Sequence, residues 1–314
     1  MMHIFNTVER DGMTELVQSE EIKVGSWINL VSPTANEIGY ITSKLNIPLD
    51  FVRSSLDEEE RARIETDNGY SLVIIDVPII SEEESAGLYV TMPMSIIIGD
   101  SNIITVSLKE TPVISDFTQM KIKSFYTYKK TRFLFQLLYR NATYYLQYLK
   151  NIERTSNRIE KELHRSMKNK ELIQLLEIEK SLVYFSMSLK SNEGILERIL
   201  RAKPIKMYPE DEELLEDVII ENKQAIEMCT IYSSILSGTM DAFASVISNN
   251  VNIVMKFLTS ITIVLSIPTM VASFFGMNVH VPMQGYPHAF LVIFLITFAF
   301  SGVLGFVMFK KNLF

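Results

Sequence analysis

Six small polar residues toward the C-terminus carry the first chemical signal in this sequence. Asn252, Thr259, Thr262, Ser266, Thr269 and Ser273 are separated by 7, 3, 4, 3 and 4 residues, a spacing that gathers them on one face of an α-helix. Each offers a neutral oxygen, an amide at Asn252 and hydroxyls at the rest. Met255 and Leu258 lie on or beside this face, and Gly276 and Asn278 close it. Neutral oxygens accept hydrogen bonds from the water around a cation but are too weak to strip a strongly hydrated ion. Mg2+ dehydrates reluctantly and keeps several waters, so a hydrated or partly hydrated cation suits such a lining. A plainer reading stands beside it: Ser and Thr in apolar helices often bond back to their own backbone or hold helices together. Spacing alone leaves both open.

The residues around this face say where it lies. Phe257 to Phe275 contains no charged residue, and neither does a second stretch from about His288 to Phe309. Each has the roughly 20 residues that cross ~30 Å of hydrocarbon. A buried hairpin in a soluble protein is the alternative, but two uncharged runs of this length at one end argue for membrane spans. A polar line facing lipid would find no water, so it is expected to face other protein or a pore. Neither span holds Asp or Glu, which argues against a proton-coupled carrier. Lys256 precedes the first span, Lys310 and Lys311 follow the second, and the connection Gly276–Pro287 (GMNVHVPMQGYP) has no Lys or Arg. Positive charge stays inside, so both termini are expected in the cytoplasm and the connection outside. Met1 to Asp11 has no continuous apolar run, and no signal peptide is expected.

A long helix is expected to lead into the first span. No Pro occurs between Pro209 and Pro268, and Leu215, Ile219, Ile226, Cys229, Leu236, Met240, Phe243, Ile247 and Val254 keep an alternating 3/4 spacing. A helix from Glu210 to Phe275 would be on the order of 100 Å long. A seam sustained that far usually packs on copies of itself, so an oligomer with a stalk is expected. Upstream, Phe117 to Arg201 lacks proline and has helical periodicity, with a solvated hairpin over Asn151–Lys170.

Residues 1–120 read as an α/β domain. Ser71–Pro78, Leu88–Met94, Ser95–Ile98 and Asn102–Leu108 are Ile- and Val-rich runs expected to form antiparallel strands, the last two joined by a Gly99-Asp100 hairpin. Pro33–Leu45 and Leu49–Ser55 have helical spacing. The expected organisation is thus 1–120 cytoplasmic α/β domain, 121–253 helical hairpin and stalk, 254–275 first span, 276–287 external loop, 288–309 second span and 310–314 basic tail.

Composition closes off other functions. Thirty Lys and Arg against 37 Asp and Glu leave a net charge of −7, the wrong sign for binding nucleic acid. One cysteine, Cys229, excludes a disulfide scaffold and a cysteine zinc cage. The four His form no metal-protease pattern, no Gly-rich phosphate loop follows a strand, and no nucleophile pairs with a His. No enzyme and no organic cofactor are expected. The carboxylate runs Asp57–Glu60 and Glu82–Glu84 read as solvated surface.

Phe275-Gly276-Met277-Asn278, at the outer end of the first of two C-terminal spans, resembles the CorA family of divalent-cation transporters, whose hallmark is Gly-Met-Asn at that place. The long preceding helix, the basic tail and the acidic α/β domain extend the resemblance along the whole chain. It implies an α+β membrane protein: a funnel-shaped homopentamer in the cell membrane, with the second span as outer ring. It implies a selectivity filter at Gly276, Met277 and Asn278, a polar ring at Asn252 and a constriction at Met255 and Leu258. The cargo it implies is Mg2+, with Co2+ and Ni2+ as further cargoes, passed with its water and gated by cytoplasmic Mg2+. The regulatory carboxylate of the family maps onto Asp217, with Glu82 its expected partner. Partners are then the bilayer, further copies of the chain and divalent cations.

The sequence also departs from the family. No acid follows Asn278 in VHVPMQGYP, so electrostatic capture at the outer mouth should be weak. His280 and His288 are weighed as ligands for softer metals against ordinary interfacial residues. A zinc transporter of the same superfamily is the runner-up, although Met277 favours Mg2+ because the zinc-carrying relatives tend to vary that residue. A non-conducting membrane scaffold is the reading from another class.

Overall fold

The computed structural model describes residues 1–10, 13–81, 89–166, 169–283 and 285–311. It divides into two compact units, Met1–Gly238 and Thr239–Phe314.

The first unit is built on a seven-stranded sheet. The strands are β1 (Met2–Arg10), β2 (Met13–Ser19), β3 (Trp27–Val31), β4 (Arg63–Asp67), β5 (Tyr70–Ile80), β6 (Tyr89–Ile98) and β7 (Ile103–Ser107), in spatial order β2-β1-β3-β7-β6-β5-β4. The sequence reading expected antiparallel strands, and β5, β6 and β7 pair so. The sheet is nonetheless mixed, because β3 runs parallel to β7 with Trp27 opposite Ile103. Ser95–Ile98 is no separate run: it continues β6 past Pro93, which sits opposite Asp76. The β6–β7 hairpin closes with Gly99 N–H donating to the Asn102 carbonyl. Glycine is needed at 99 because a side chain would run into the Tyr70 ring.

Both faces of the sheet are covered, which explains strands that read as unbroken apolar runs. On one face Leu72, Ile74, Ile97 and Ile104 pack with α1 (Ala35–Leu45) and α2 (Leu49–Arg53) through Ile38, Ile41 and Phe51. Thr34 caps α1 in a reciprocal box with Glu37. On the other face Val73, Ile75, Ile96 and Ile98 pack against α3 (Pro112–Thr118), α4 (Lys130–Ser166), α5 (Asn169–Ala202) and the first part of α6 (Pro209–Phe275). Trp27, Phe117, Phe125 and Phe133 form an aromatic knot here, with Trp27 and Phe133 centroids 5.1 Å apart. The helical periodicity read from Phe117 onward begins only at Lys130. Between α3 and α4 the backbone turns, with Met120 and Ser124 at positive φ.

Two carboxylates packed into this unit, Asp116 and Asp76, are held in contrasting ways. Asp116, 2% exposed, is bonded by Lys121, Arg140 and Tyr144. Burial pushes its carboxyl up, but these hydrogen bonds and the Arg140 charge outweigh it and leave the pKa below the ordinary value. Asp76 makes no salt bridge among the described residues. Its backbone carbonyl accepts from Asn141, Tyr145 and Asn192, while burial raises its carboxyl to about 6, partly opposed by a hydrogen bond from Ser188.

The second unit holds the rest of α6 and α7 (Ala289–Lys310), two helices long and apolar enough to cross a membrane. α6 is a single 67-residue helix with Pro268 inside it.

Candidate functional site

Within the second unit the two sides of α6 differ. Ser260 is buried, and Ile261, Val264, Ile267, Pro268 and Val271 are half-buried. This side meets α7, where Thr297 and Ser301 are buried. The approach is close at Gly305, where an added Cβ would stand 3.7 Å from Val264 Cγ2. At about 100° per residue, the predicted polar stripe lies roughly 180° around the axis from this contact. Asn252, Thr259, Thr262, Ser266, Thr269 and Ser273 are all exposed in the single chain, as are Met255 and Leu258. Four of them, Thr262, Ser266, Thr269 and Ser273, share one shallow open groove of about 610 Å³ with Leu265, Met270 and Phe274.

Three of the four hydroxyls in that groove are held by the helix itself. Thr262 Oγ1 donates to the Leu258 carbonyl at 2.8 Å, Ser266 Oγ to Ile263 at 2.8 Å and Thr269 Oγ1 to Leu265 at 3.1 Å. Back-bonding uses the donor of each hydroxyl and leaves its oxygen lone pairs facing outward. A row of outward acceptors suits water around a cation and is of no use to an anion. The plainer reading of the stripe thus holds for the protons, and it leaves the oxygens free to work.

The stripe ends where the helix ends. After Phe275, Gly276 N–H still reaches the Ala272 carbonyl at 3.0 Å, and Val279 N–H turns back to Met277 at 2.9 Å. Met277 is 54% exposed, and Asn278 is exposed beside it. Among the described residues nothing demands glycine at 276: a Cβ there would meet the Ala272 and Ser273 carbonyls, at 3.4 and 3.6 Å.

The family described as CorA-like Mg2+ transporter protein matches residues 23–311. The chain belongs to the CorA family. The cobalt/magnesium transport protein CorA of Methanocaldococcus jannaschii is 26% identical over 277 residues, spanning 85% of this chain and 84% of that one. The complete structure of the M. jannaschii CorA magnesium transporter superposes with a TM-score of 0.85 at 22% identity, covering 98% of this chain and 97% of that one. The full-length CmaX protein matches at 0.74 with 14% identity, over 99% and 96% of the two chains. The cytoplasmic domain of ZntB from Vibrio parahaemolyticus matches at 0.60 with 14% identity, over 79% and 96%. At such identities the structural likenesses speak for the fold alone. As a CorA-family chain the protein is a divalent-cation transporter of the membrane, not an enzyme, with an α/β sheet domain, a long helix and two apolar C-terminal helices.

The carboxylates expected to sense Mg2+ lie in the first unit. Asp217 is exposed on α6. The phenol of Tyr139 on α4 is pushed up by burial first, then by the charges of Glu221 and Asp217. Glu82 lies outside the described residues. Among the described residues no three His, Cys, Asp or Glu gather where they could hold a metal ion. What the sequence reading missed is the α7-facing side of α6. Ser260 stands alone among apolar neighbours on its side of α6, while Thr297, Ser301 and Gly305 recur every four residues on one face of α7, a row of small residues that the sequence reading passed over.

Proposed function

We propose that the protein is a channel-type transporter that passes hydrated Mg2+ inward through a homopentameric pore walled by the C-terminal part of α6. The observation that carries this reading is the polar groove on the side of α6 opposite α7. One helix face is occupied by α7, so the opposite face, with its outward oxygens, is the one available to a central axis shared with other copies.

In this reading Asn278 forms a ring of amide oxygens at the outer mouth, joined by the Gly276 backbone oxygen, with Met277 holding the turn. The ring accepts hydrogen bonds from the ion's water rather than binding the metal. Thr259, Thr262, Ser266, Thr269 and Ser273 continue that wet surface inward. Met255 and Leu258 form an apolar constriction that closes by dewetting, and Asn252 rings the inner mouth. Both termini face the cytoplasm. A potential of 100 mV drives each elementary charge with about 2.3 kcal/mol, and a divalent ion with twice that, so inward flow needs no ATP. Co2+ and Ni2+ are further cargoes.

Regulation is assigned to Asp217. Hard cations take oxygen ligands, and Mg2+ takes six of them, counting water. Since the described residues of one chain gather no metal cluster, Asp217 needs ligands from the Glu82 segment or from a neighbouring copy. Carboxylates meeting there repel each other without the ion and are drawn together with it, which closes the pore when cytoplasmic Mg2+ is plentiful.

The test is ion flux into liposomes containing the purified protein, with the interior negative and lumenal indicators for Mg2+ and Zn2+. Mg2+ entry that disappears in Asn278→Leu supports the pore and its filter together. Zinc entry alone moves the protein to the zinc-carrying branch. No flux of either ion from assembled protein at low internal Mg2+ rejects the transport reading in favour of a scaffold.

A further inference from the structure

One strand residue in the first unit ties the sheet to two helices and carries a carboxyl that no cation balances. β4 pairs with β5 only as far as Ile74. Two residues on, the backbone of Asp76 is held by helix side chains instead. The Asn192 amide of α5 engages it twice, accepting from its N–H at 2.9 Å and donating to its carbonyl at 2.9 Å. Asn141 and Tyr145 of α4 donate to the same carbonyl, at 2.9 and 3.2 Å. Opposite Asp76 on β6 stands Pro93, which has no N–H to give.

The side chain of Asp76, half-buried, is served less well than its backbone. Three buried side chains send donors to one carbonyl, and the carboxylate is left with the Ser188 hydroxyl of α5. That hydroxyl has a single proton, which it also directs to Thr91 Oγ1 of β6 at 2.8 Å. Asn141 Oδ1 is a further acceptor, buried and without a donor. The cluster is therefore rich in acceptors and short of protons. An ionised carboxyl adds acceptors to it, whereas a protonated one adds a donor. The raised pKa of Asp76 agrees with this count. No other group in the cluster changes charge near neutral pH. α5 and β6 present the neutral Ser188, Asn192, Thr91 and Pro93. From α4, burial pushes the Tyr145 phenol well up, and the charge of Asp76 adds to it. From α6, burial pushes the Cys229 thiol up to about 11, with Lys190 of α5 opposing.

We propose that Asp76 is a proton-operated latch: protonated, it keeps α4 and α5 closed on the end of β5, and ionised, it loosens that contact. α6 is tied to the same stretch of α5. Asn222 donates to the carbonyl of Leu189, the neighbour of Ser188, at 3.2 Å, and Cys229 Sγ donates to the Leu182 carbonyl at 3.2 Å. Since α6 is the helix whose C-terminal part is read above as pore wall, the latch relays cytoplasmic acidity to transport. That relay rests on the pore reading; the latch does not.

Hydrogen exchange of the full-length protein in detergent, followed by mass spectrometry over peptides spanning 185–192, tests the latch against Asp76→Asn, which stays neutral. The ratio of wild type to variant at each pH removes the intrinsic pH dependence of exchange. A folded pKa above the unfolded one makes closure strongest at low pH and weaker as pH rises through the folded value. From pH 5 to pH 7.5 the ratio should therefore rise by about tenfold, the linkage expected of a carboxyl that goes from about 6 to the ordinary 3.8 when the contact opens. A ratio that does not change with pH overturns the latch, because a residue that only packs gives no step. Ser188→Ala removes the donor to the carboxylate and should move the wild-type step to higher pH; a step left in place also overturns the proposal, and this variant carries the test if Asp76→Asn does not fold. Mg2+ flux in liposomes, with equal pH on both sides, reads the relay. Wild-type flux should change over the same pH range while Asp76→Asn holds one value. Wild-type flux that ignores pH overturns the relay, and absent flux rejects the pore, while the exchange ratio decides the latch in either case.

Discussion

The two units of this chain solve opposite problems with the same kinds of residue. Met1–Gly238 buries its apolar side chains against one another on both faces of a sheet, and it pairs a sunken charge such as Asp116 within the chain. In Thr239–Phe314, among the described residues, only Phe243, Ser260, Thr297 and Ser301 are buried. Large residues such as Phe290, at 82% exposure, and Phe306, at 67%, stand open in a single chain. The first unit builds its core from its own chain. The second has next to no core of its own and needs a membrane around it, and in the pore reading proposed above its polar groove needs other copies. Where a chain leaves apolar surface open on this scale, the missing partner belongs to the structure.

The contrast breaks most sharply at Asn278. Asn278→Leu should abolish Mg2+ flux and leave the unfolding of the first unit unchanged. Trp27 is the sole tryptophan and lies in the core of that unit, so its fluorescence follows that transition alone. The reverse test is Phe133→Ala, which hollows the aromatic knot. It should cost about 3–5 kcal/mol in denaturant unfolding followed by Trp27, and shift a joint transition only if the units unfold together.

The next two tests sharpen the first unit's self-sufficiency by charge. Asp116→Asn leaves Arg140 and Lys121 short of their partner and should cost about 3 kcal/mol. The folded pKa of Asp116 is lowered, so its contribution is present above the unfolded value near 4 and fades as pH falls through the folded one. Asp76 has the opposite sign. With its folded pKa raised to about 6, it contributes stability fully present below its unfolded pKa and lost as pH rises through 6. Between pH 7.5 and pH 5 the wild type should gain on the order of 1–2 kcal/mol that Asp76→Asn does not show, read by urea unfolding at both pH values. The smallest effect belongs to the surface: Thr34→Ala removes the cap of α1 and should cost about 1 kcal/mol by the same assay.

Sequence reading reached the parts in which residue types contrast with their neighbours. The two spans stood out as uncharged runs, and the stripe stood out as hydroxyls among apolar side chains. β5, β6 and β7 were visible because strands covered on both faces become runs of Ile and Val. β1 and β4 were not, because MHIFNTVER and RIETD bury only Ile4 and Ile64 and mix polar with apolar residues. The turn between α3 and α4 was taken for helix, since Phe125, Tyr126 and Tyr128 carry aromatic character but no mark of the positive φ at Met120 and Ser124.

The parallel pairing of β3 with β7 has a consequence in time. The ladder joins Trp27–Val31 to Ile103–Ser107, so the centre of the sheet cannot close until the ribosome has released residue 107. The spans come much later in the chain. At about 5–20 residues per second, the stretch from residue 107 to the first span takes roughly 8 to 30 seconds to synthesise. The sheet is thus free to form while the apolar helices are still unmade. A nascent chain halted before residue 257 should already resist protease over its sheet, and would meet the membrane as a folded body trailing an unfinished anchor.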